Sequence, residues 1–166
     1  MLLRELTLSD EDTFHWANNE AWEEHFVFAH YFESLAQNDF NNYVKILPEL
    51  SQGFHLPSGH VPCTLLFAFD EKGKIVGRTS IRHELTEFLK LVGGHIGYGV
   101  VPSERRKGYA SAILKESLKY IKEHLPQIPK ALVTCDIDNV GSIKTIERNG
   151  GVLKDIQEKR RYWIGL

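Results

Sequence analysis

Cysteine, surplus positive charge and long apolar runs are all scarce in this 166-residue chain. Two cysteines cannot build a disulfide scaffold. Cys63 precedes Thr64-Leu65-Leu66-Phe67 and Cys135 follows Ala131-Leu132-Val133-Thr134, apolar settings in which cysteine packs as a small hydrophobe, so a reducing compartment is expected. No run of about 18 apolar residues occurs, and Met1-Leu2-Leu3-Arg4-Glu5 lacks the basic and then apolar pattern of a secretory leader. A soluble cytoplasmic protein without a membrane partner is therefore expected. Twenty Lys and Arg against 22 Asp and Glu, net -2, leave nothing to condense onto a phosphate backbone, which excludes sequence-independent nucleic-acid binding. Repeats, low-complexity stretches and Ser/Pro/Gly-rich linkers are missing too, so residues 1–166 read as a single domain. With 42% hydrophobic and 25% charged residues, the chain can bury a self-sufficient core, and a disordered tail is excluded.

The charge that is there is unevenly spread. Met1–His83 holds 6 basic and 12 acidic residues, net -6, whereas Glu84–Leu166 holds 14 and 10, net +4. Such asymmetry fits either two ligands of opposite charge or chance placement on solvated faces. Leu2 to Leu8 alternates as a strand, and Ser9-Asp10-Glu11-Asp12 offers a cap and acidic first turn to a helix containing Phe14, Trp16 and Ala17. Residues 21–32 are aromatic and irregular. Residues 39–50 return to helical spacing, and Gly53–Pro62 is a surface loop. Cys63–Phe69 and Ile75–His83 then read as a hairpin about Asp70-Glu71-Lys72-Gly73-Lys74. A glycine-bearing strand covers Gly94–Val101, and an amphipathic helix starts at Tyr109 and runs to Leu125. A buried strand covers Ala131–Ile137, a short helix Ser142–Arg148, and a last hairpin Val152–Gln157 with Arg160–Ile164.

The junction Val100-Val101-Pro102-Ser103-Glu104-Arg105-Arg106-Lys107-Gly108-Tyr109-Ala110 is strand, basic turn and helix start. The first helical turn leaves backbone N–H groups unpartnered at the positive end of the dipole, which suits an anion. Gly108 lets the chain approach a phosphate without a Cβ, Ala110 is small for the same reason, and Arg105, Arg106 and Lys107 add charge. The plainer alternative is a solvated basic turn. A Walker A loop is missing, and Gly94-x-x-Gly97-x-Gly99 leads into Pro102 rather than a helix, against a dinucleotide fingerprint.

Arg105-Arg106-Lys107-Gly108-Tyr109-Ala110 resembles the Arg/Gln-x-x-Gly-x-Gly/Ala signature of the GNAT family of N-acetyltransferases. Asn139-x-x-Ser142 and Arg148-Asn149-Gly150 are similar to that family's downstream segments. By motif the likeness covers about Gly93 to Val152, and by element order nearly the whole chain. The resemblance implies an α/β (α+β) fold with a mixed, mostly antiparallel, splayed sheet flanked by helices. It also implies acetyl-CoA in a gap between the strands at Gly94–Val101 and Ala131–Ile137. The pantetheine arm would pair with Tyr98 to Val101 and the pyrophosphate with amides of Arg106, Lys107, Gly108 and Ala110. A bulge near Gly97–Val100 would splay the strands and aim the Val100 N–H at the thioester carbonyl as an oxyanion donor.

Acyl transfer to an amine needs two proton movements, because the ammonium loses one and the departing thiolate, of pKa about 8.5, can take one. Candidate bases are His95, which the reading favours, His83 and Glu84. Family members often use a tyrosine as acid where this chain has Ile146, which leaves Tyr109, Tyr98, Glu147 or water. Glu20, Glu23, Glu24 and Glu33 among the aromatics of residues 22–32 suggest a pocket for a cationic amine, whether small molecule or peptide N-terminus. His55, His60 and Cys63 match no zinc spacing, and no metal is expected. The strands from Val152 to Ile164 would suit a homodimer sheet. A non-catalytic acyl-CoA-binding module of the same fold is the alternative to an enzyme.

Overall fold

The computed structural model describes all residues from Met1 to Leu166. Strand β1 (Leu2–Arg4) is shorter than the alternation predicts, because Asp10 turns the chain back. Its carboxylate accepts the Thr7 N–H at 2.7 Å and both terminal nitrogens of Arg4 at 2.7 and 2.8 Å, and Leu8–Asp10 winds into a 3-10 turn. Helix α1 (Glu11–Asn18) follows with its acidic first turn in place. After the irregular aromatic stretch come α2 (Glu33–Asn38), which the sequence reading did not separate, and α3 (Phe40–Ile46). Asp39 caps α3 by accepting the Asn42 N–H at 3.0 Å. These elements converge on Phe14, whose ring lies 5.2–5.8 Å from those of Phe28, Phe40, Tyr43 and Phe67. Burial of each such ring stabilises by roughly 2–3 kcal/mol before entropy is charged against it.

Strands β2 (Cys63–Phe69) and β3 (Ile75–Arg82) form the expected hairpin, closed by Asp70, which accepts the N–H groups of Lys72 and Lys74 at 2.8 and 2.9 Å. A short helix α4 (Glu87–Leu91), not anticipated, precedes β4 (Ile96–Val100). Helix α5 (Tyr109–His124) buries Ile113, Leu114, Ser117 and Ile121. Beyond β5 (Lys130–Cys135), α6 (Val140–Arg148) is capped by Asn139, and β6 (Val152–Ile156) and β7 (Arg160–Gly165) close the chain. No helix is long and apolar enough to cross a membrane.

The strands form two sheets, ordered β1-β2-β3-β4 and β5-β7-β6, flanked by the helices. The expectation of a mixed sheet is corrected in one respect, since every ladder is antiparallel. The expected bulge is also missing: β3 and β4 pair without interruption from Gly77 opposite Val100 to Ile81 opposite Ile96. Splaying has another cause. The sheets touch through one bridge, Gly94 to Val133, supported by His95 N–H to Leu132 O at 2.7 Å and Gly93 N–H to Thr134 Oγ1 at 3.0 Å. Gly94 has φ +63°, and a Cβ there would lie 2.4 Å from Leu132 O, so only glycine permits the joint. From this joint β4 runs away and the gap opens towards Val100.

Candidate active site

The basic turn lies at the mouth of that gap. Arg106 and Gly108 both take left-handed backbone, φ +64° and +86°, a conformation that turns successive N–H groups to one side. None of the amides from Arg106 to Ser111 finds a backbone or side-chain acceptor in the protein. A Cβ at Gly108 would meet nothing within 4 Å, so the ground before these amides is open.

The three cations of the turn have different fates. Arg105 forms a two-pronged pair with Glu23 at 2.5 and 2.8 Å, and its Nε donates to Val100 O at 3.2 Å. Lys107 meets Glu104, which also holds Lys74, at 2.7 and 2.8 Å. Those two lysines hold the Glu104 carboxyl below its usual range, Lys107 contributing most. Arg106 alone of the three has no partner.

Val101 N–H donates to Val76 O, and backbone groups alternate along an antiparallel ladder, so those of Tyr98 and Val100 face the open side of β4. That edge is open to an extended ligand.

Between β4, the tip of β5 and the stretch 25–31 lies a cavity of about 460 Å³. Tyr98, Asn139 and Ser142 are among the residues that line it. Asn139 Oδ1 accepts the Ser142 N–H at 2.9 Å. The Tyr98 hydroxyl is shielded from solvent and unpartnered, and burial pushes its pKa up. Tyr109 opens α5, half-buried, outside the cavity.

The proposed bases do not assemble here. His95 is 7% exposed, and its Nδ1 accepts the Leu132 N–H at 2.9 Å, so it ties the two sheets together. Burial, with Arg82 adding to it, holds its pKa at about 4. His95 does not line the cavity, and the expectation of a base there is corrected. His83 bonds Thr64 Oγ1 at 2.9 Å away from the cavity, and Glu84 is exposed on the chain beyond β3. The acidic pocket also fails to form. Glu23 is spent on Arg105, Glu20 receives Ser103 N–H and Oγ–H, and none of Glu20, Glu23, Glu24 and Glu33 lines the cavity.

The sequence reading missed what lines it instead: Arg78, Ser80 and Arg82 of β3, with His30 and Tyr31. Burial, then Arg78 and Arg82, keep the His30 imidazole well below its ordinary pKa. The signal was available as two arginines, Arg78 and Arg82, in a strand that otherwise carries no charge.

Residues 1–152 match the sequence family described as the acetyltransferase (GNAT) domain. The chain belongs to the GNAT acetyltransferase family. Solved structures agree on the fold. One, a Vibrio cholerae protein described as a ribosomal-protein-serine acetyltransferase, superposes with TM-score 0.65 at 13% identity over 99% of this chain and 92% of its own. An acetyltransferase from Agrobacterium tumefaciens gives 0.60 at 17% identity over 99% and 90%. The spermidine N-acetyltransferase of Vibrio cholerae, in complex with CoA and spermine, gives 0.61 at 16% identity over 99% and 94%. No curated protein matches the chain in sequence. As a GNAT domain the chain has the splayed architecture of acyl-CoA transferases, and no cluster of three His, Cys, Asp or Glu side chains is arranged to hold a metal.

Proposed function

We propose that this GNAT protein transfers the acetyl group of acetyl-CoA to an amine acceptor, a small molecule, amino acid derivative or peptide N-terminus, by direct attack. The run of unpartnered amides from Arg106 to Ser111, opening beside the free edge of β4, carries this reading. Those residues fit a diphosphate: the amides of Arg106, Lys107, Gly108 and Ala110 supply donors at the positive end of α5, and the free Arg106 side chain supplies charge. The outward amides of Tyr98 and Val100 suit an extended arm. When bound, acetyl-CoA supplies an activated acetyl thioester, so that one N–C bond forms as one C–S bond breaks. Tyr98 is assigned the proton required at sulfur, because its phenol stays protonated at neutral pH and, with only Ser142 and Thr145 beside it, makes no well-formed hydrogen bond in the protein. The amine's proton leaves to water, since His30, the imidazole lining the cavity, is kept neutral by burial and by Arg78 and Arg82.

Thermal unfolding with acetyl-CoA tests the first half. At a hundredfold excess over Kd the ligand stabilises by about 2.7 kcal/mol. Gly108→Val abolishes that gain, and no stabilisation by acetyl-CoA or CoA refutes the reading. A second reading, CoA binding without chemistry, is favoured by one observation: Ile146, at the position where the family often has its acid, is fully buried in the core. Release of free thiol in step with acetylated amine decides for the enzyme, and stabilisation without thiol release for the binding module.

A further inference from the structure

The inner wall of the cavity is β3, whose Arg78, Ser80 and Arg82 stand at alternate positions, on the face where Gly97 and Gly99 of β4 lie opposite. Neither arginine has a carboxylate partner. Arg78 Nε and Nη2 donate to the carbonyls of Phe28 and Val27 at 2.9 and 2.6 Å, and Arg82 Nη1 to those of Gly93 and Gly94 at 3.2 and 3.1 Å. Arg78 Nη1, Arg82 Nε and Arg82 Nη2 meet no acceptor in the protein. The one carboxylate lining the cavity, Asp136, is already held by Lys159. A Cβ at position 97 would lie 3.1 Å from Ser80 Oγ and in ordinary contact with the terminal nitrogens of Arg82, so this glycine borders both side chains.

A guanidinium taken out of water is costly unless an anion meets it, and the Phe26 ring 4.4 Å from Arg78 offsets only part of that cost. Two in one cavity, with spare donors and no protein anion, leave the site short of a negative charge. We infer that the acceptor is an amine that also carries an oxyanion, carboxylate or phosphate, received by Arg78 and Arg82. This rests on the reading of the same cavity as an amine-acetylating site. The planar fork of arginine suits either oxyanion. A polycation would meet the same field that disfavours a proton on His30. The amine itself is favoured uncharged, the form that attacks.

Calorimetric titration of the protein, with and without CoA, tests this. The probes are the twenty L-amino acids against their C-terminal amides, 2-aminoethyl phosphate against ethanolamine, and spermidine. The tightest ligand should carry an oxyanion and exceed its uncharged match at least tenfold. Amino acids leading identifies a carboxylate, and aminoethyl phosphate leading a phosphate. Arg82→Gln should reduce the ratio below threefold, and Arg82→Lys, which keeps the charge without the fork, should leave it between the two. If Arg82→Gln fails to fold, the lysine variant carries the comparison alone. An amide, ethanolamine or spermidine binding as tightly as the oxyanion ligands, a ratio unmoved by the folded variants, or uptake of neither class overturns the inference. Acetyl transfer across the same panel separates the two readings. Oxyanion-selective binding without transfer refutes the enzyme alone, and transfer to spermidine or neutral amines in preference refutes the oxyanion site alone.

Discussion

Glu23 grips Arg105 through both carboxylate oxygens across 82 residues of sequence, and so ties the irregular stretch in front of the cavity to the turn that starts α5. Arg105 is thereby withdrawn from the anion site it was expected to serve. Both side chains are substantially exposed, 41% and 61%, so the pair is screened and Glu23→Gln should cost about 0.5–1 kcal/mol at neutral pH. Glu24, in no ion pair, serves as the control. Arg105 holds Glu23 below its usual carboxylate range, so its contribution is complete above an unfolded pKa of about 4.3 and is lost as pH falls through the lowered value. Urea midpoints of wild type and Glu23→Gln should differ at neutral pH and converge in acid, with Glu24→Gln unchanged throughout.

Arg106 offers a case where stability and binding separate. A non-glycine residue at φ +64° costs roughly 1–2 kcal/mol, which Arg106→Gly relieves, while the freer unfolded chain takes back about 0.4–1. The melting temperature should therefore hold or rise slightly. CoA affinity should fall about three- to tenfold, less in high salt, because the lost charge is exposed. Calorimetry at two salt concentrations checks both. Unchanged affinity would show that the amides suffice without the side chain.

Strong local periodicity made most of the fold legible in the sequence. Cys63–Phe69, the hairpin turn and α5 were bounded within a residue or so because their patterns are long and their punctuation clear. α2 and α4, of six and five residues, span too few turns for a period to register. The anion-binding turn was readable because helix start, glycine and charge are contiguous there. Arg105 with Glu23, and His95 with Leu132, are meetings across the fold that nothing local announces. The same holds for the cavity: the charge of residues 20–33 suggested a cationic acceptor, but the lining came from β3, where Arg78 and Arg82 read as interruptions of an apolar strand.

His95 predicts an acid-sensitive joint between the sheets. Its native pKa of about 4 lies below an unfolded value of about 6.5, so between these the unfolded chain binds more protons and stability falls as pH falls. On the order of 3 kcal/mol should be lost across that window. His95→Gln should flatten this slope and also lower stability at neutral pH, because the buried Leu132 N–H loses its acceptor, at a cost of about 1–3 kcal/mol. Denaturant titrations from pH 4 to 8 measure both effects. The pH profile of kcat should keep its shape in the variant, and loss of its rising limb would restore His95 as the base.

Tyr98 sets stability against chemistry. Its hydroxyl is buried without a hydrogen-bond partner, although Ser142 and Thr145 lie beside it, and a polar group left so costs roughly 1–3 kcal/mol. Tyr98→Phe removes that cost and keeps the ring, so the free protein should become more stable by about 1 kcal/mol. If the phenol supplies the proton at sulfur, the same change lowers kcat by roughly 10²-fold or more while acetyl-CoA affinity stays within a factor of three. The two measurements must move in opposite directions. A hydroxyl without a part in the chemistry would give the same gain in stability and leave kcat alone. Thermal unfolding beside single-turnover acetylation therefore assigns it, because no structural role makes the weaker catalyst the more stable protein.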